Sequence, residues 1–329
     1  MREKLAISGG EPVIKNKFEV FNKIGDEEIN GVMEVMKTGM LSKFIGDWKP
    51  EFYGGDKVQE LESNWNNYFK VKNSISVNSW TSGLICAVGS LDIEPQDEII
   101  VPTWTMAATA SCVLVWNAIP VFCDINPFTF NIEPKEIEKK ITQKTKAIIA
   151  VDIHGMSCDI DEIMELADAY NLIVISDSAQ AIGANYKEKK AGTIAHIGGY
   201  SLNRFKHIHT GEGGVIVTNN DEYAERMRLI RNHADAVSAR RKIKKINNLI
   251  GFNFRMGEIE AAIAIEQLKK LDKIVLSRKK VAFKITDGIK SLNGIKTPFV
   301  PVDRDHIYYI YPILIDEWKI GVSAKKLCK

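Results

Sequence analysis

The 329-residue chain is short of the features that mark secreted, metal-bound or membrane-spanning proteins. Its five cysteines, Cys86, Cys112, Cys123, Cys158 and Cys328, are odd in number and contain no CxxC pair. They suggest neither a disulfide framework nor a zinc knuckle, and the thiols are expected to be reduced. No apolar run is long enough to span a bilayer. The start, MREKLAISGGEPVIKNKFEV, lacks the basic, apolar and small-residue succession of a secretory signal. A cytoplasmic protein with no membrane partner is the expectation. Histidine is scarce, six in all; His207 and His209 alternate as along a strand and have no third ligand at metal-like spacing, so no metal is expected. Excess charge is missing too. At a net +2, nothing draws the chain as a whole toward nucleic acid. No internal repeat or low-complexity tract interrupts it.

What is present is an ordinary globular composition, 45% hydrophobic and 26% charged, enough for a sizeable core. From about residue 57 to 218, helical and strand patterns alternate, the signature of a largely parallel sheet wrapped by helices. DKVQELESNWNNYF, TSGLICAVGSL, TMAATASCVLVWN and DIDEIMELADAYN read as helices, and NSISVN as a strand. DEIIVP, IPVFCDI, KAIIAVDI and LIVISD are short β-branched runs ending in Pro or Asp, as buried parallel strands do. HIGGYSL and GGVIVTN leave almost no room for a crossover helix between them and are expected to pair antiparallel. DEYAERMRLIRN and MGEIEAAIAIEQLKKLD are amphipathic helices, and a further helix over 273–291 is expected to lead out of the domain. HIYYIYPILID reads as a strand. A helix begun at Ser323 has under two turns before Lys329, too short for stability by itself. The fold class is therefore α/β. The domain expectation is an N-terminal segment, 1–30, joining a smaller domain; a large domain, 31–271; and an incomplete smaller α+β domain, 272–329.

Three local features suggest chemistry. Asp177 closes LIVISD at the carboxyl end of a parallel strand, where open α/β sheets place their ligand crevice. Lys206 sits in the loop YSLNRFKHIHTGEGG. NSWTSGL leads from a strand end into a helix whose first-turn N–H groups, with Ser79 and Thr81, can hold a phosphate. A phosphate cradle, a carboxylate and a lysine on one sheet edge suit pyridoxal 5'-phosphate, since the amine condenses with the aldehyde and moves the proton while the carboxylate keeps the ring nitrogen protonated. Each feature alone has a plainer reading: a loop lysine is usually a solvated charge, and a strand-terminal Asp a turn-former. Lys187, Lys189 and Lys190, in the polar turn NYKEKKAG, are read in that plain way.

The succession VNSWTSGL, VPTWTMAATA, PVFCDI, DIHG, ISDSAQAIGANYKEKKAGTIAHIGGYSLNRFKHIHTGEGGVIVTN, RLIRNHA and IGFNFRMGEIEAAIAIEQLKKLD resembles the DegT/DnrJ/EryC1/StrS family of sugar aminotransferases. The resemblance runs from about residue 10 to the end. It implies the fold type I architecture of pyridoxal-phosphate-dependent transferases, and a reaction that converts a keto sugar, usually nucleotide-linked, to an amino sugar with glutamate or glutamine as amino donor. By that resemblance Lys206 is the Schiff-base lysine and Asp177 the partner of the pyridine nitrogen. Gln180 lies beside the ring hydroxyl and Ser201 binds the phosphate. Asn253 reaches the phosphate of a neighbouring subunit's cofactor, which implies a homodimer with shared sites. Two departures stand out. Ser79-Trp80-Thr81 replaces the common Ser-Gly-Thr, so a bulky side chain must be accommodated at the phosphate turn. Met106, with Trp104 two residues earlier, occupies the place where many relatives put an aromatic ring over the cofactor.

Other readings remain open at this stage. A sugar dehydratase on the same scaffold is disfavoured because that branch carries histidine in place of the lysine. A catalytically idle binding or regulatory protein would retain the fold without turnover. The basic run ARRKIKKINN, 239–248, is a solvated loop or a contact, through Arg240, Arg241 or a nearby lysine, to the diphosphate of a nucleotide sugar across the dimer interface; with no interleaved aromatic residue it does not suggest nucleic acid.

Overall fold

The computed structural model describes residues 4, 6–16, 18, 24–238 and 249–327. Helices α1 (Asp26–Thr38) and α2 (Asp56–Phe69) precede the alternating region. This region runs β1 (Asn73–Val77), α3 (Trp80–Gly89), β2 (Glu98–Pro102), α4 (Ala108–Leu114), β3 (Ile119–Cys123), α5 (Pro134–Glu138), β4 (Thr145–Val151), α6 (Ile160–Tyr170) and β5 (Ile173–Asp177). A small hairpin, β6 (Asn185–Tyr186) and β7 (Lys189–Lys190), leads to β8 (Ile197–Ser201) and β9 (Gly214–Thr218), followed by α7 (Asp221–Arg231) and α8 (Glu258–Ile289). The remainder holds β10 (Ile295–Lys296), β11 (Leu314–Ile315), α9 (Glu317–Ile320) and α10 (Ala324–Leu327).

Seven strands form one sheet in the order β1-β9-β8-β5-β4-β2-β3. Strands β8, β5, β4, β2 and β3 are parallel, and β9 runs antiparallel to both its neighbours, β1 and β8. The sheet is therefore mostly parallel, with the expected antiparallel β8–β9 pair.

The continuous apolar character of the central strands follows from helices on both faces. On β4, Ala147, Ile149 and Val151 pack with Leu84 of α3 in one core cluster, while Ile148 and Ala150 pack with Ile163 of α6 in another. On β9, Ile216 belongs to the α3 side and Val215 and Val217 to the side of α2 and α8. A buried ion pair braces the region near β1. Arg231, at the end of α7, donates to Glu62 of α2 at 2.8 Å and to the Ser76 carbonyl at 3.1 Å, and Glu62 also accepts from the Ser76 amide.

Four expectations change. Strand β3 is not covered on both faces: it ends the sheet, and Ile119 and Phe122 are exposed. The helices expected on either side of residue 272 form one 32-residue helix, α8, because no Gly or Pro interrupts the sequence there. Helix α4 begins only at Ala108, leaving Met106 in the loop before it. HIYYIYPILID is not one strand. Tyr308 takes φ 54°, which breaks extension, and Pro312 offers no N–H, so only Leu314–Ile315 pairs, with β10. Its first half docks on the main sheet's edge instead, where Met156 bridges His306 and the Ile307 amide donates to the Gly155 carbonyl at 2.8 Å.

Candidate active site

Because β1, β8, β5, β4 and β2 run in one direction, their carboxyl ends and the segments that follow lie along one edge of the sheet. Asp177 ends β5 there, buried. Its Oδ1 accepts from the Trp80 indole Nε1 at 2.6 Å and from the Ala179 amide at 3.2 Å. Among the described residues its Oδ2 has only the Thr109 hydroxyl, at 3.4 Å. Burial raises the carboxyl pKa, and the Ala179 amide, the Trp80 indole and the charge of Lys206 act against that rise.

The lysine loop, 202–213, is closed at its base by backbone hydrogen bonds. The Leu202 amide donates to the Gly213 carbonyl and the Arg204 amide to the Gly211 carbonyl, both at 2.9 Å, and the Lys206 amide donates to the Asn203 carbonyl at 2.8 Å. Gly211 takes φ +86°, a conformation that a side chain disfavours, so TGEGG is a turning element next to the lysine, as the sequence suggests. The Lys206 ammonium lies over the Tyr309 ring, 4.4 Å from its centroid, and makes no ion pair or hydrogen bond among the described residues. It differs in this from Lys187, whose ammonium pairs with Asp161 on the surface.

A cradle forms where α3 starts. Ser79 is its N-cap, with Oγ accepting from the Ser82 amide at 3.1 Å, and the N–H groups of Trp80 and Thr81 have no intrahelical acceptor. Ser201, the last residue of β8, pairs in register with Gly214. A Cβ on Gly214 would stand 2.8 Å from the Trp80 backbone nitrogen, so only glycine lets the helix start approach this closely. Ser79, the amides of Trp80 and Thr81, and Ser201 are thereby brought together.

Gln180 lies one turn beyond Asp177, and its Oε1 accepts from the His154 amide at 2.7 Å. Trp104 and Met106 lie in the loop between β2 and α4 with 55% and 70% of their surfaces exposed. Asn253 is exposed, its Oδ1 accepting from Arg255 at 2.9 Å, and its neighbour Phe254 holds the Asn78 amide through its carbonyl at 2.9 Å. Arg240 and Arg241 lie outside the described residues. Three participants escaped the sequence reading: Tyr309 beneath the lysine, Thr109 at the carboxylate, and His154, whose buried Nδ1 has no partner among the described residues. Thr109 lies within VPTWTMAATA and His154 within DIHG, while Tyr309 lies within HIYYIYPILID, read only as a strand.

The trip of residues 306–310 over this edge also buries histidines. His207 and His306 have their pKa values pushed down to about 3, chiefly by burial, so both rings are neutral. His207 Nε2 lies 3.0 Å from the Ile307 carbonyl, and the His306 Nδ1 accepts from the Tyr308 amide at 2.9 Å. Among the described residues no group of three or more His, Cys, Asp or Glu is placed to hold a metal ion, and no helix is long and apolar enough to cross a membrane.

GDP-perosamine synthase from Caulobacter vibrioides is 35% identical over 305 residues, 92% of this chain and 78% of that protein. The crystal structure of an aminotransferase from Psychrobacter cryohalolentis superposes with a TM-score of 0.81 at 30% identity, covering 92% of this chain and 78% of that one. The E coli GDP-4-keto-6-deoxy-D-mannose-3-dehydratase, solved with bound hydrated PLP, superposes equally well at 0.81, with 25% identity over 93% of this chain and 80% of its own. Since the profile of the DegT/DnrJ/EryC1/StrS aminotransferase family matches residues 23–329, nearly the whole length on which the lysine loop, the buried carboxylate and the helix cradle depend, this chain belongs to that family.

Proposed function

We propose that the protein is a pyridoxal 5'-phosphate-dependent aminotransferase that converts a nucleotide-linked keto sugar to an amino sugar, taking the amino group from glutamate or glutamine. The observation that carries this reading is the Lys206 ammonium, which lies on the Tyr309 ring with no ion pair among the described residues and within electrostatic reach of the buried Asp177. The residues suit the cofactor. Asp177 keeps Oδ2 almost free in a buried setting, and the cradle of Ser79, the first α3 amides and Ser201 would be filled by a single Cβ on Gly214.

Pyridoxal phosphate, when bound, supplies an aldehyde carbon that condenses with amines and a protonated ring that accepts the electron pair left when a carbon loses its proton. The rest falls to this chain. The N–H groups of Trp80 and Thr81, with the hydroxyls of Ser79 and Ser201, hold the phosphate at a helix N-terminus. Asp177 accepts the ring N–H, and burial strengthens that charge-assisted bond. Gln180 flanks the ring. Lys206 Nζ, once neutral, takes the proton from the α-carbon of the amino donor, and in the second half-reaction returns one to the sugar carbon that receives nitrogen. Tyr309 restricts where that nitrogen can go. Trp104 or Met106, both exposed, would pack on the cofactor ring. Asn253 completes the phosphate site of a second copy in a homodimer with shared sites.

Lysine at position 206 supports the aminotransferase reading over the dehydratase one, since the dehydratase branch has histidine there. The test is spectroscopic: purified protein loaded with PLP is mixed with glutamate or glutamine and its visible absorbance followed. The cofactor band shifts and returns when a nucleotide-linked keto sugar is added. A band indifferent to both donors would favour a catalytically idle protein.

A further inference from the structure

The bulky residue at the phosphate turn has a place of its own. Trp80 points away from the cradle, into the core, where only 5% of its surface is exposed. Two glycines make its slot. A Cβ on Gly199 of β8 would stand 2.0 Å from the indole Cζ3, and one on Gly83 of α3 would stand 2.6 Å from Cε3. Lying between this strand and its own helix, the ring directs Nε1 at Asp177.

The hydrogen bonds divide the carboxylate unequally. A carboxylate accepts about four hydrogen bonds, two per oxygen. Oδ1 has both of its places filled, by the indole at 2.6 Å and the Ala179 amide at 3.2 Å. Among the described residues Oδ2 has only the long contact from Thr109, whose hydroxyl is also 2.8 Å from that of Thr105. A buried tryptophan usually finds an acceptor for its N–H, and a backbone carbonyl suffices: Trp116 donates to Ile85 at 2.9 Å, while the Trp65 Nε1 has no partner among the described residues. Trp80 instead takes the one buried carboxylate at the sheet edge that the reaction needs.

We propose that Trp80 is a positioning residue for Asp177: its indole N–H, held in the slot between Gly83 and Gly199, anchors Oδ1 and leaves Oδ2 as the oxygen that receives the ring N–H of the cofactor. The same bond favours the ionised carboxylate against burial, in keeping with this role. The proposal rests on the PLP reading above and adds a residue whose side chain that reading does not use.

The test compares wild type with Trp80→Phe and with 3-benzothienylalanine at position 80, which keeps the shape of the ring pair and removes only the donor. Three readings are taken: thermal unfolding of the cofactor-free protein, the PLP dissociation constant by titration, and the pH dependence of the bound cofactor's visible spectrum. Loss of one charge-assisted donor is expected to weaken PLP binding about 10-fold or more and to displace the spectral pH transition. The benzothienyl protein should unfold at nearly the wild-type temperature, which decides the matter if the Phe variant folds poorly. Gly199→Ala, which pushes the ring out of its slot, should act in the same direction. A folded benzothienyl protein with wild-type affinity and an unchanged spectral transition overturns the proposal alone. Wild-type protein that takes up no PLP overturns the functional reading and this proposal together.

Discussion

The sheet edge around Asp177 and the segment beyond residue 290 are built from similar residue types and differ in what covers them. Behind Asp177, Val174, Ile175, Tyr200 and Ile216 are fully buried between helices. Beyond residue 290, Leu292, Phe299 and Val302 are exposed, and Trp318 exposes 97% of its surface. The exception is the pair His306–Ile307, buried because it docks on the sheet edge. A carboxylate and an amine can be held in register only on a packed scaffold. The C-terminal segment meets Lys206 where it crosses that scaffold, at Tyr309.

Four substitutions or conditions probe this contrast. Lys206→Arg keeps the charge but removes the group that must become neutral, and transamination, assayed as oxo-acid release from glutamate, should fall by about 10³-fold or more. Arg231→Met leaves Glu62 buried without its cation, and urea unfolding should register a loss of about 3–5 kcal/mol. An acid titration gives the next effect. His207 and His306 titrate near 3 in the fold and near 6.5 when unfolded, so between those values the unfolded chain binds protons that the folded chain refuses. Stability therefore falls as pH drops from 6.5 toward 3, by up to about 1.4 kcal/mol per pH unit for each histidine, and is unaffected by them above that range. The slope is best read as the difference between wild type and His306→Gln, because buried Asp152 and Asp177, whose carboxyl pKa values are raised, act in the opposite sense. The smallest effect belongs to Trp318→Ser, which should change unfolding by less than about 0.5 kcal/mol in the same urea measurement. A large loss there would break the comparison.

Much of the scaffold was legible from local pattern. DEIIVP, KAIIAVDI and LIVISD are strands because helices cover both faces, and a β-branched run records that burial directly. The ten residues between HIGGYSL and GGVIVTN, too few for a crossover helix, announced the antiparallel pair. Asp177 and Lys206 could be singled out because each ends or follows a readable strand. The path of the Trp80 side chain could not be read, since it depends on the missing Cβ of Gly199, far along the chain, and only the fold brings the two together. Tyr309 was hidden for a related reason: HIYYIYPILID has the composition of a strand, but the positive φ of Tyr308 breaks it, and its first half docks against Gly155, another long-range contact.

The most direct test of the central claim is covalent. PLP-loaded protein is reduced with borohydride, digested, and mapped by mass spectrometry. The account predicts a single pyridoxyl-phosphate adduct on the peptide containing Lys206. An adduct on any other lysine, or none on a protein that has bound the cofactor, would contradict it.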